Sequence, residues 1–243
     1  MKDYKAELNN RIAFIQKVLR DAGAQGIVYG NSGGKDSALV GILCKKACPN
    51  TVGVLLPCES KRNFEEDTDD GLAVAEQFGI KTLRVDLTAV KQSLLQAVDG
   101  IAEISLQASA NIAPRLRMTT LYAVAQTRNY LVAGTGNRSE SYMGYFTKWG
   151  DGACDFNPVA DLTVTEIYEF LQYLGAPESI IKKAPSAGLY EGQTDEKEMG
   201  VTYQEIDKFI ADGFSGREDA DDKIKSAHRR TEHKRRMPMQ YGG

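Results

Sequence analysis

A glycine-rich turn between an apolar run and a helical run constrains the fold of this chain most strongly. The apolar run occupies residues 27–29, the helical run occupies residues 38–44, and the turn between them reads Gly30-Asn31-Ser32-Gly33-Gly34-Lys35-Asp36-Ser37. Glycines permit positive φ angles and leave no Cβ in the path of a ligand. Backbone N–H groups in such a turn, with a helix N-terminus behind them, attract phosphate groups. The stretch therefore predicts a strand, a phosphate-binding loop and a helix.

Polar side chains of this turn extend the prediction. Ser32 and Ser37 supply hydroxyl donors, and Lys35 supplies a cation. A carboxylate beside a phosphate repels it unless a cation lies between them, so Asp36 is predicted to bind Mg²⁺. A Walker A loop is excluded, because Asp36 separates the lysine from the following serine. A glycine-rich turn that binds no ligand is the alternative at this point.

The string SGGKDS at residues 32–37 resembles the pyrophosphate loop of the N-type ATP pyrophosphatases, whose pattern is SGGxDS. Enzymes of that group split ATP between its α and β phosphates. They include synthetases for NAD, GMP, asparagine and argininosuccinate, together with tRNA thiolation enzymes. The resemblance implies ATP as a co-substrate and leaves the second substrate open.

Short apolar runs alternate with amphipathic segments along the chain. Strands are predicted at residues 27–29, 52–56, 81–85 and 130–133. Helices, recognised by apolar residues at helical spacing, are predicted at 1–24, 65–78, 87–108, 115–128, 164–174, 178–183 and 202–211. Strands that alternate with helices form a parallel sheet covered on both faces. We therefore predict a single α/β domain with a doubly wound parallel sheet, whose ligands bind at the carboxyl edge of the strands.

Composition and charge limit the classes of function. The formal net charge is −3, which argues against a general binder of nucleic acids. The sequence has no apolar stretch long enough for a membrane helix, and residues 1–5 lack the apolar core of a signal peptide. A cytoplasmic protein is the expectation. The four cysteines form no Cys-x-x-Cys pair, and Cys44 and Cys48 are predicted to pack as small apolar residues on one helix face.

Loops without clear periodicity are predicted at residues 134–140, 144–161 and 185–200. The first of them follows a predicted strand, so Glu140 is expected at the same sheet edge as Asp36. Two carboxylates with phosphate oxygens are a common environment for Mg²⁺. A surface glutamate that opens a helix fits the spacing of Glu140 equally well. The acidic run at 65–70 is interpreted as the solvated start of a helix, where acids complement the helix dipole.

Several further motifs follow one another along the chain. They are NIAPRLRM (111–118), GTGNRSE (134–140), GYFTKWGDGACDFNPVADLT (144–163), PSAGL (185–189), QTDEKEMG (193–200) and HKR (233–235). Together with the SGGKDS loop, they closely resemble ammonia-dependent NAD synthetases over residues 10–238. The resemblance implies an adenine nucleotide alpha hydrolase-like fold and a homodimer. It also implies the final step of NAD biosynthesis, in which ATP converts deamido-NAD to an acyl-adenylate and ammonia displaces AMP.

The resemblance also implies roles for individual residues in binding ATP and metal. The turn from Gly30 to Ser37 is implied to hold the ATP phosphates. Thr135 and Ser186 are the further implied contacts with ATP. Asp36 and Glu140 are the implied ligands of Mg²⁺.

A second set of residues is implied to contact deamido-NAD. These are Arg115, Lys148, Asp155, His233 and Lys234. Lys148 is also an implied catalytic residue, together with the two carboxylates. Val164 stands where the family has a lysine that contacts ATP. Lys35 or Lys182 is expected to replace that charge, unless the nucleotide binds more weakly.

Two expectations concern assembly and motion. The polar segment 215–236 is expected to be a mobile flap over the substrate. The region 87–130 is either a dimer interface or ordinary core, and its apolar candidates are Leu94, Leu95, Val98, Ile101, Ile104, Leu121 and Val124. The alternatives for function are another ATP pyrophosphatase, such as a tRNA thiolation enzyme, and a nucleotide-binding protein without catalytic activity.

Overall fold

The computed structural model describes residues 2–59, 64–101, 103–183 and 194–241. Its strands are β1 (Gly26–Gly30), β2 (Thr51–Leu55), β3 (Lys81–Arg84) and β4 (Tyr130–Ala133). The helices up to β4 are α1 (Tyr4–Ala22), α2 (Lys35–Ala47), α3 (Glu66–Phe78), α4 (Thr88–Val98), α5 (Leu106–Ala110) and α6 (Ile112–Arg128). The later helices are α7 (Arg138–Met143), α8 (Val164–Leu174), α9 (Glu178–Lys182), α10 (Asp195–Met199), α11 (Tyr203–Asp212), α12 (Glu218–Arg230) and α13 (Glu232–Arg235).

The described strands form one parallel sheet in the order β3-β2-β1-β4. Val28 of β1 lies opposite Val52 of β2 on one side and Val132 of β4 on the other. The two central strands are buried almost throughout, as expected when both faces of a sheet are covered. The strand order changes direction beside β1, so the loop after β1 lies where ligands bind in sheets of this kind. The predicted α/β class with a parallel sheet is confirmed.

Alternate residues of β1 pack into two different hydrophobic cores. Ile27 and Tyr29 belong to a core that also contains Ile15 of α1 and Phe170 of α8. Val28 belongs to a second core, which includes Met118, Leu121 and Ala125 of α6. Because successive side chains of a strand point to opposite faces, these cores lie on opposite sides of the sheet. Helices on both faces are therefore confirmed.

A third apolar cluster holds the C-terminal helices together. Ile206 of α11 and Ile224 of α12 are completely buried, and Met143 and Val164 belong to the same cluster. The segment 215–236 thus contains two helices, and α12 has a buried apolar face. The expectation that this segment is mobile remains a prediction.

The predicted helix at 87–108 is wrong as a continuous element. Helix α4 ends at Val98, Gly100 adopts a left-handed φ of 78°, and α5 begins at Leu106. The helix predicted from residue 115, α6, begins three residues earlier, at Ile112, so the break after α5 is confirmed but is shorter than predicted. Pro114 fits within the first turn of that helix, where a missing N–H group costs no hydrogen bond.

Two predicted loops contain helical residues. The loop at 134–140 includes the start of α7, so Glu140 lies in the first turn of a helix, but its side chain is only 18% exposed and it is not the surface glutamate of the alternative interpretation. The loop at 185–200 includes α10, while residues 184–193 lie outside the described part of the chain. Other boundaries agree within one to three residues.

The described ranges allow two sequence expectations to be compared with the structure, one on membrane-spanning helices and one on the cysteines. None of the described helices combines the length and apolarity needed to cross a bilayer. Cys44 and Cys48 are free thiols buried in the core that contains α1 and α2, which confirms the prediction that they pack as small apolar residues.

Candidate active site

A cavity of about 830 Å³ opens at the carboxyl edge of the sheet. Its walls combine the turn after β1, the ends of β2 and β4, one face of α6, and Lys234 near the C-terminus. The location agrees with the rule for open parallel sheets, which place ligands beyond the carboxyl ends of the strands. This cavity is the candidate active site.

The turn after β1 has the geometry of a ligand cradle. Gly33 has φ of 68°, and a Cβ at this position would collide with the backbone carbonyl of Asp67. The hydroxyl groups of Ser32 and Ser37 are hydrogen-bonded over 3.1 Å, and Ser37 Oγ also donates to the carbonyl of Gly34. Among the described residues, no side chain caps the N-terminus of α2. Its first N–H groups are therefore oriented to bind an anion.

Lys35 lies between the two candidate metal ligands. Its Nζ is 2.8 Å from Oδ2 of Asp36 and 3.7 Å from Oε1 of Glu140. The residue is only 7% exposed. Burial lowers the pKa of Lys35, but the carboxylates of Asp36 and Glu140 outweigh burial and leave the pKa above its ordinary value. Lys35 is therefore a buried cation at neutral pH.

Asn137 connects the two carboxylates. Its Nδ2 donates to Oδ1 of Asp36 over 3.0 Å, and its Oδ1 accepts from the backbone N–H of Glu140 over 2.9 Å. The backbone N–H of Asn137 in turn donates to Oε2 of Glu140 over 3.3 Å. These reciprocal bonds form a capping box at the start of α7. The cap therefore fixes the direction of the Glu140 side chain toward Asp36.

The environment of Glu140 disfavours its charged form. Burial and the nearby carboxylate of Asp36 raise the pKa of Glu140 to about 8, although Lys35 and the hydrogen bond from Asn137 act in the opposite direction. A divalent cation bound by the two carboxylates would instead favour the charged form of Glu140. Two carboxylates held in this way suit a metal that also binds phosphate oxygens.

The position of Lys35 shows what charge the two carboxylates accommodate. The ammonium group of Lys35 already lies against one oxygen of each carboxylate, so the pair binds a positive charge. Within the described ranges, no group of three or more His, Cys, Asp or Glu side chains is arranged to hold a metal ion. Mg²⁺ in proteins is commonly bound by one or two carboxylates together with phosphate oxygens and water, and Asp36 and Glu140 could supply such carboxylates beside the phosphate cradle.

The acidic start of α3 is ion-paired, so its interpretation as a solvated surface was wrong for two residues. Lys183 Nζ lies 2.8 Å from Asp67 Oδ1 and 2.6 Å from Asp70 Oδ2. The same Nζ donates to the carbonyl of Gly33 over 3.4 Å. Lys183 therefore connects α3 and the turn after β1, and it also lines the cavity.

Comparison with known proteins identifies the family. The family model for NAD synthase matches residues 7–238. The chain belongs to the NAD synthase family. It is 46% identical to the NH₃-dependent NAD⁺ synthetase of Carboxydothermus hydrogenoformans over 239 residues, which cover 97% of each chain.

Two solved structures are similar over the whole chain. The NMN synthetase of Francisella tularensis has a TM-score of 0.93 and 37% identity, with complete coverage of both chains. The NH₃-dependent NAD synthetase of Campylobacter jejuni, solved with nitrate, has a TM-score of 0.83 and 27% identity. That alignment covers 99% of this chain and all of the other. The implied NAD synthetase fold is thus confirmed.

The structure places most of the residues implied to contact ATP in the wall of one cavity. The cavity is lined by Thr135 and by the turn residues, of which Gly33 alone does not contribute to the wall. Lys35 also lines the cavity, whereas Lys182 is exposed and pairs with Glu178. Val164 is buried in the C-terminal apolar cluster. Ser186 lies outside the described residues.

Most residues implied to contact deamido-NAD do not line the cavity. Lys234 does, and its Nζ donates to the carbonyls of Gly144 and Phe146. Lys148 Nζ donates to the carbonyl of His233 over 2.6 Å, outside the cavity wall. Arg115 is exposed, and its Nε donates to the carbonyl of Lys148 over 3.3 Å.

Asp155 lies at the edge of β4, apart from that set. Its Oδ2 accepts a hydrogen bond from the backbone N–H of Val132 over 2.7 Å. Its Oδ1 accepts one from the hydroxyl of Tyr122 over 3.2 Å. Both oxygens therefore have partners within the chain.

Arg117 is a cavity residue that the sequence interpretation missed in favour of Arg115. Pro114, Arg117, Met118 and Leu121 line the cavity, and their spacing of three to four residues defines one face of α6. Arg115 falls outside that face. The helical spacing of these residues is visible in the sequence and would have favoured Arg117 over Arg115. Asn137 and Lys183 were also missed.

Proposed function

We propose that this protein is an ammonia-dependent NAD synthetase, a ligase that amidates deamido-NAD at the expense of ATP. The observation that carries the proposal is the pairing of Asp36 and Glu140 around one cation, directly beside the phosphate cradle. Similarity to NH₃-dependent NAD⁺ synthetases over nearly the full length supports it. The products are NAD, AMP and pyrophosphate.

The first chemical step joins two anions. A carboxylate oxygen of deamido-NAD attacks the α-phosphorus of ATP, and the bond to the leaving pyrophosphate breaks. Lys35, Arg117 and Lys183 line the cavity as cations and reduce the repulsion between the reactants. Bound Mg²⁺, held by Asp36 and Glu140, would supply further neutralisation of the phosphate charge.

The second step forms the amide. Neutral ammonia attacks the acyl carbon, AMP leaves, and one proton is lost from the nitrogen. This chemistry needs positioning and charge stabilisation, with no covalent intermediate on the protein. Lys234 closes one side of the cavity near the 144–146 backbone, where it helps to exclude water from the reactive acyl-adenylate. Lys148 is proposed to contact the substrate from the neighbouring surface.

We also propose a homodimer and a cytoplasmic location. Leu94 of α4 and Ile101 beyond its end are 39% and 79% exposed, which is unusual for large apolar side chains in one region. Leu121, another candidate for the interface, instead belongs to the core on the α6 side of the sheet. Light scattering of the purified protein tests the dimer directly.

One assay tests the proposed activity. The purified protein is incubated with ATP, Mg²⁺, ammonium and deamido-NAD, and NAD, AMP and pyrophosphate are measured together. We expect the three products in equal amounts and no AMP release when tRNA replaces deamido-NAD. AMP release only with tRNA would instead support a thiolation enzyme, and ATP binding without pyrophosphate release would support a protein that lacks activity.

A second candidate substrate is the mononucleotide analogue, nicotinic acid mononucleotide. The similarity that favours it is the TM-score of 0.93 to a structure described as an NMN synthetase. The same amidation of a nicotinate carboxylate would then give NMN. Competition between the two substrates at equal concentration, with both amides quantified, gives the ratio of their kcat/KM values and decides between them.

A further inference from the structure

Lys35 occupies an electrostatically unfavourable position for a lysine. It is the first residue of α2, and a cation at a helix N-terminus opposes the helix dipole. It is also buried, although lysines are almost never fully buried unless they are paired. The aromatic ring of Tyr203, whose centroid is 5.5 Å from Lys35 Nζ, adds a weaker cation–π attraction. The carboxyl groups of Asp36 and Glu140, of which Asp36 is the nearer, therefore keep the ammonium group in place.

The hydrogen bonds of the carboxylates show which oxygens are accessible to a cation. Asp36 uses Oδ1 to accept from Asn137 and presents Oδ2 to Lys35. Glu140 uses Oε2 to accept from the backbone of Asn137 and presents Oε1 to Lys35. Asp36 Oδ2 and Glu140 Oε1 accept no hydrogen bond from Asn137, so a metal bound to them would lie beside the ammonium group.

A metal ion and the ammonium group would compete electrostatically for these oxygens. Mg²⁺ binds oxygen at about 2.0–2.1 Å, so an ion on Asp36 Oδ2 would lie within about 5 Å of an Nζ that is 2.8 Å from the same atom. Two cations this close repel each other strongly in a buried site, where the effective dielectric constant is low. Metal binding therefore favours movement of the ammonium group away from the carboxylates.

We propose that Lys35 is a resident counterion that a divalent metal must displace, and that nucleotide phosphates in the adjacent cradle accept the displaced ammonium group. The proposal rests on the assignment of Asp36 and Glu140 as metal ligands in the proposed function. Metal and nucleotide then bind weakly alone and strongly together. Because linkage is reciprocal, each increases the affinity of the protein for the other by the same factor.

Titration with Mn²⁺, a paramagnetic substitute for Mg²⁺, measures this coupling without any turnover. The intact protein is titrated alone and with an ATP analogue blocked between its α and β phosphates. For the wild type we expect the analogue to tighten Mn²⁺ binding by a factor on the order of 5–150, the usual range for coupled sites. Lys35→Gln removes the counterion, so it should bind Mn²⁺ more tightly than the wild type without the analogue and respond less to it.

Two control variants separate displacement from general effects of charge and burial. Lys35→Arg keeps the cation and should retain weak binding of Mn²⁺ by the free protein. Lys91→Gln removes a lysine of similar burial, which is 8% exposed. Its Nζ lies 2.7 Å from Oε2 of Glu59, and neither residue lines the cavity. This variant should leave Mn²⁺ binding unchanged. A thermal melt of each variant confirms that it is folded.

Three results would overturn the proposal. They are equal Mn²⁺ affinity in the wild type with and without the analogue, equal affinity of Lys35→Gln and wild type in its absence, and a Lys91→Gln effect as large as that of Lys35→Gln. The first comparison needs only the wild type and stands even if Lys35→Gln does not fold. Any of these results obtained with an enzyme that still makes NAD would refute the counterion role and leave the proposed function intact.

Discussion

Asn137, whose side chain is completely buried, donates a hydrogen bond from Nδ2 to Oδ1 of Asp36 over 3.0 Å. The donor belongs to the loop after β4, and the acceptor belongs to the turn after β1. The same asparagine caps the helix that carries Glu140. One side chain therefore determines both the separation and the orientation of the two proposed metal ligands.

Asn137→Ala should impair catalysis more than stability. Loss of a helix cap costs about 0.5–2 kcal/mol of unfolding free energy. The two carboxylates would also lose their common partner, so we expect a higher Mg²⁺ requirement and a reduced kcat. Thr202→Ala removes a similar capping box from α11, outside the cavity lining. If both variants lose activity equally, Asn137 acts only through stability.

Asp36→Asn should nearly abolish turnover while leaving the protein folded. The substitution preserves size but removes the charge that binds Mg²⁺, and the side chain lies at a cavity wall and not within an apolar core. Activity is measured over a range of Mg²⁺ concentrations, and folding is measured by thermal melting. Near-normal turnover at low Mg²⁺ would rule out the ligand role.

Glu140 should make the metal-free protein less stable as the pH rises. Burial and Asp36 raise its pKa from 4.5 to about 8, with a smaller contribution from Asp195, so the folded state binds more protons than the unfolded state between these values. The free energy of unfolding then falls as pH increases through that interval. Melting temperatures in the presence of a chelator should therefore fall less steeply with pH for Glu140→Gln than for the wild type. Parallel curves would show that Glu140 does not titrate in this way.

Ammonia, and not glutamine, should be the nitrogen donor of the purified protein. The reactive species is neutral ammonia, because an ammonium ion has no free electron pair. At fixed total ammonium concentration the rate should therefore rise as pH increases through the neutral and mildly alkaline range. Robust NAD formation with glutamine alone would contradict the prediction.

The sequence was sufficient for the features that depend on local patterns. The alternation of apolar runs predicted the parallel sheet, and the glycine-rich turn predicted where the cavity lies. The capping box of Asn137 and Glu140 and the α6 face that carries Arg117 follow equally local rules, although the motif-based interpretation overlooked both.

The pairing of Lys183 with the acidic start of α3 was not accessible from the sequence. More than 110 positions separate Lys183 from Asp67 and Asp70, and no periodicity relates them. The position of Lys35 between two carboxylates likewise depends on the approach of two strand ends. Such contacts arise from tertiary packing, which brings together side chains that have no local pattern in common.

The C-terminal segment should close more tightly over the cavity when both substrates are bound. Lys234 already bonds to the carbonyls of Gly144 and Phe146, and the carbonyl of His233 accepts from Lys148. Polar contacts hold the end of the segment 215–236, including one from Arg235 Nη1 to the carbonyl of Ser141 over 3.2 Å, whereas α12 is anchored by buried apolar residues. Hydrogen exchange should therefore slow on addition of ATP and deamido-NAD, with the largest change at residues 231–236.

A double substitution, His233→Ala with Lys234→Ala, tests the function of that closure. Without these side chains, water should reach the acyl-adenylate more often, so that more AMP is formed for each NAD. The ratio of AMP to NAD is measured at saturating ammonia, where the wild type should give a value near unity. Arg229→Ala, an exposed change in α12, serves as the control because it removes a cation of the same segment outside the cavity lining. If exchange at 231–236 is already slow in the free protein and the product ratio is unchanged in the double variant, the segment is a fixed structural element and not a flap.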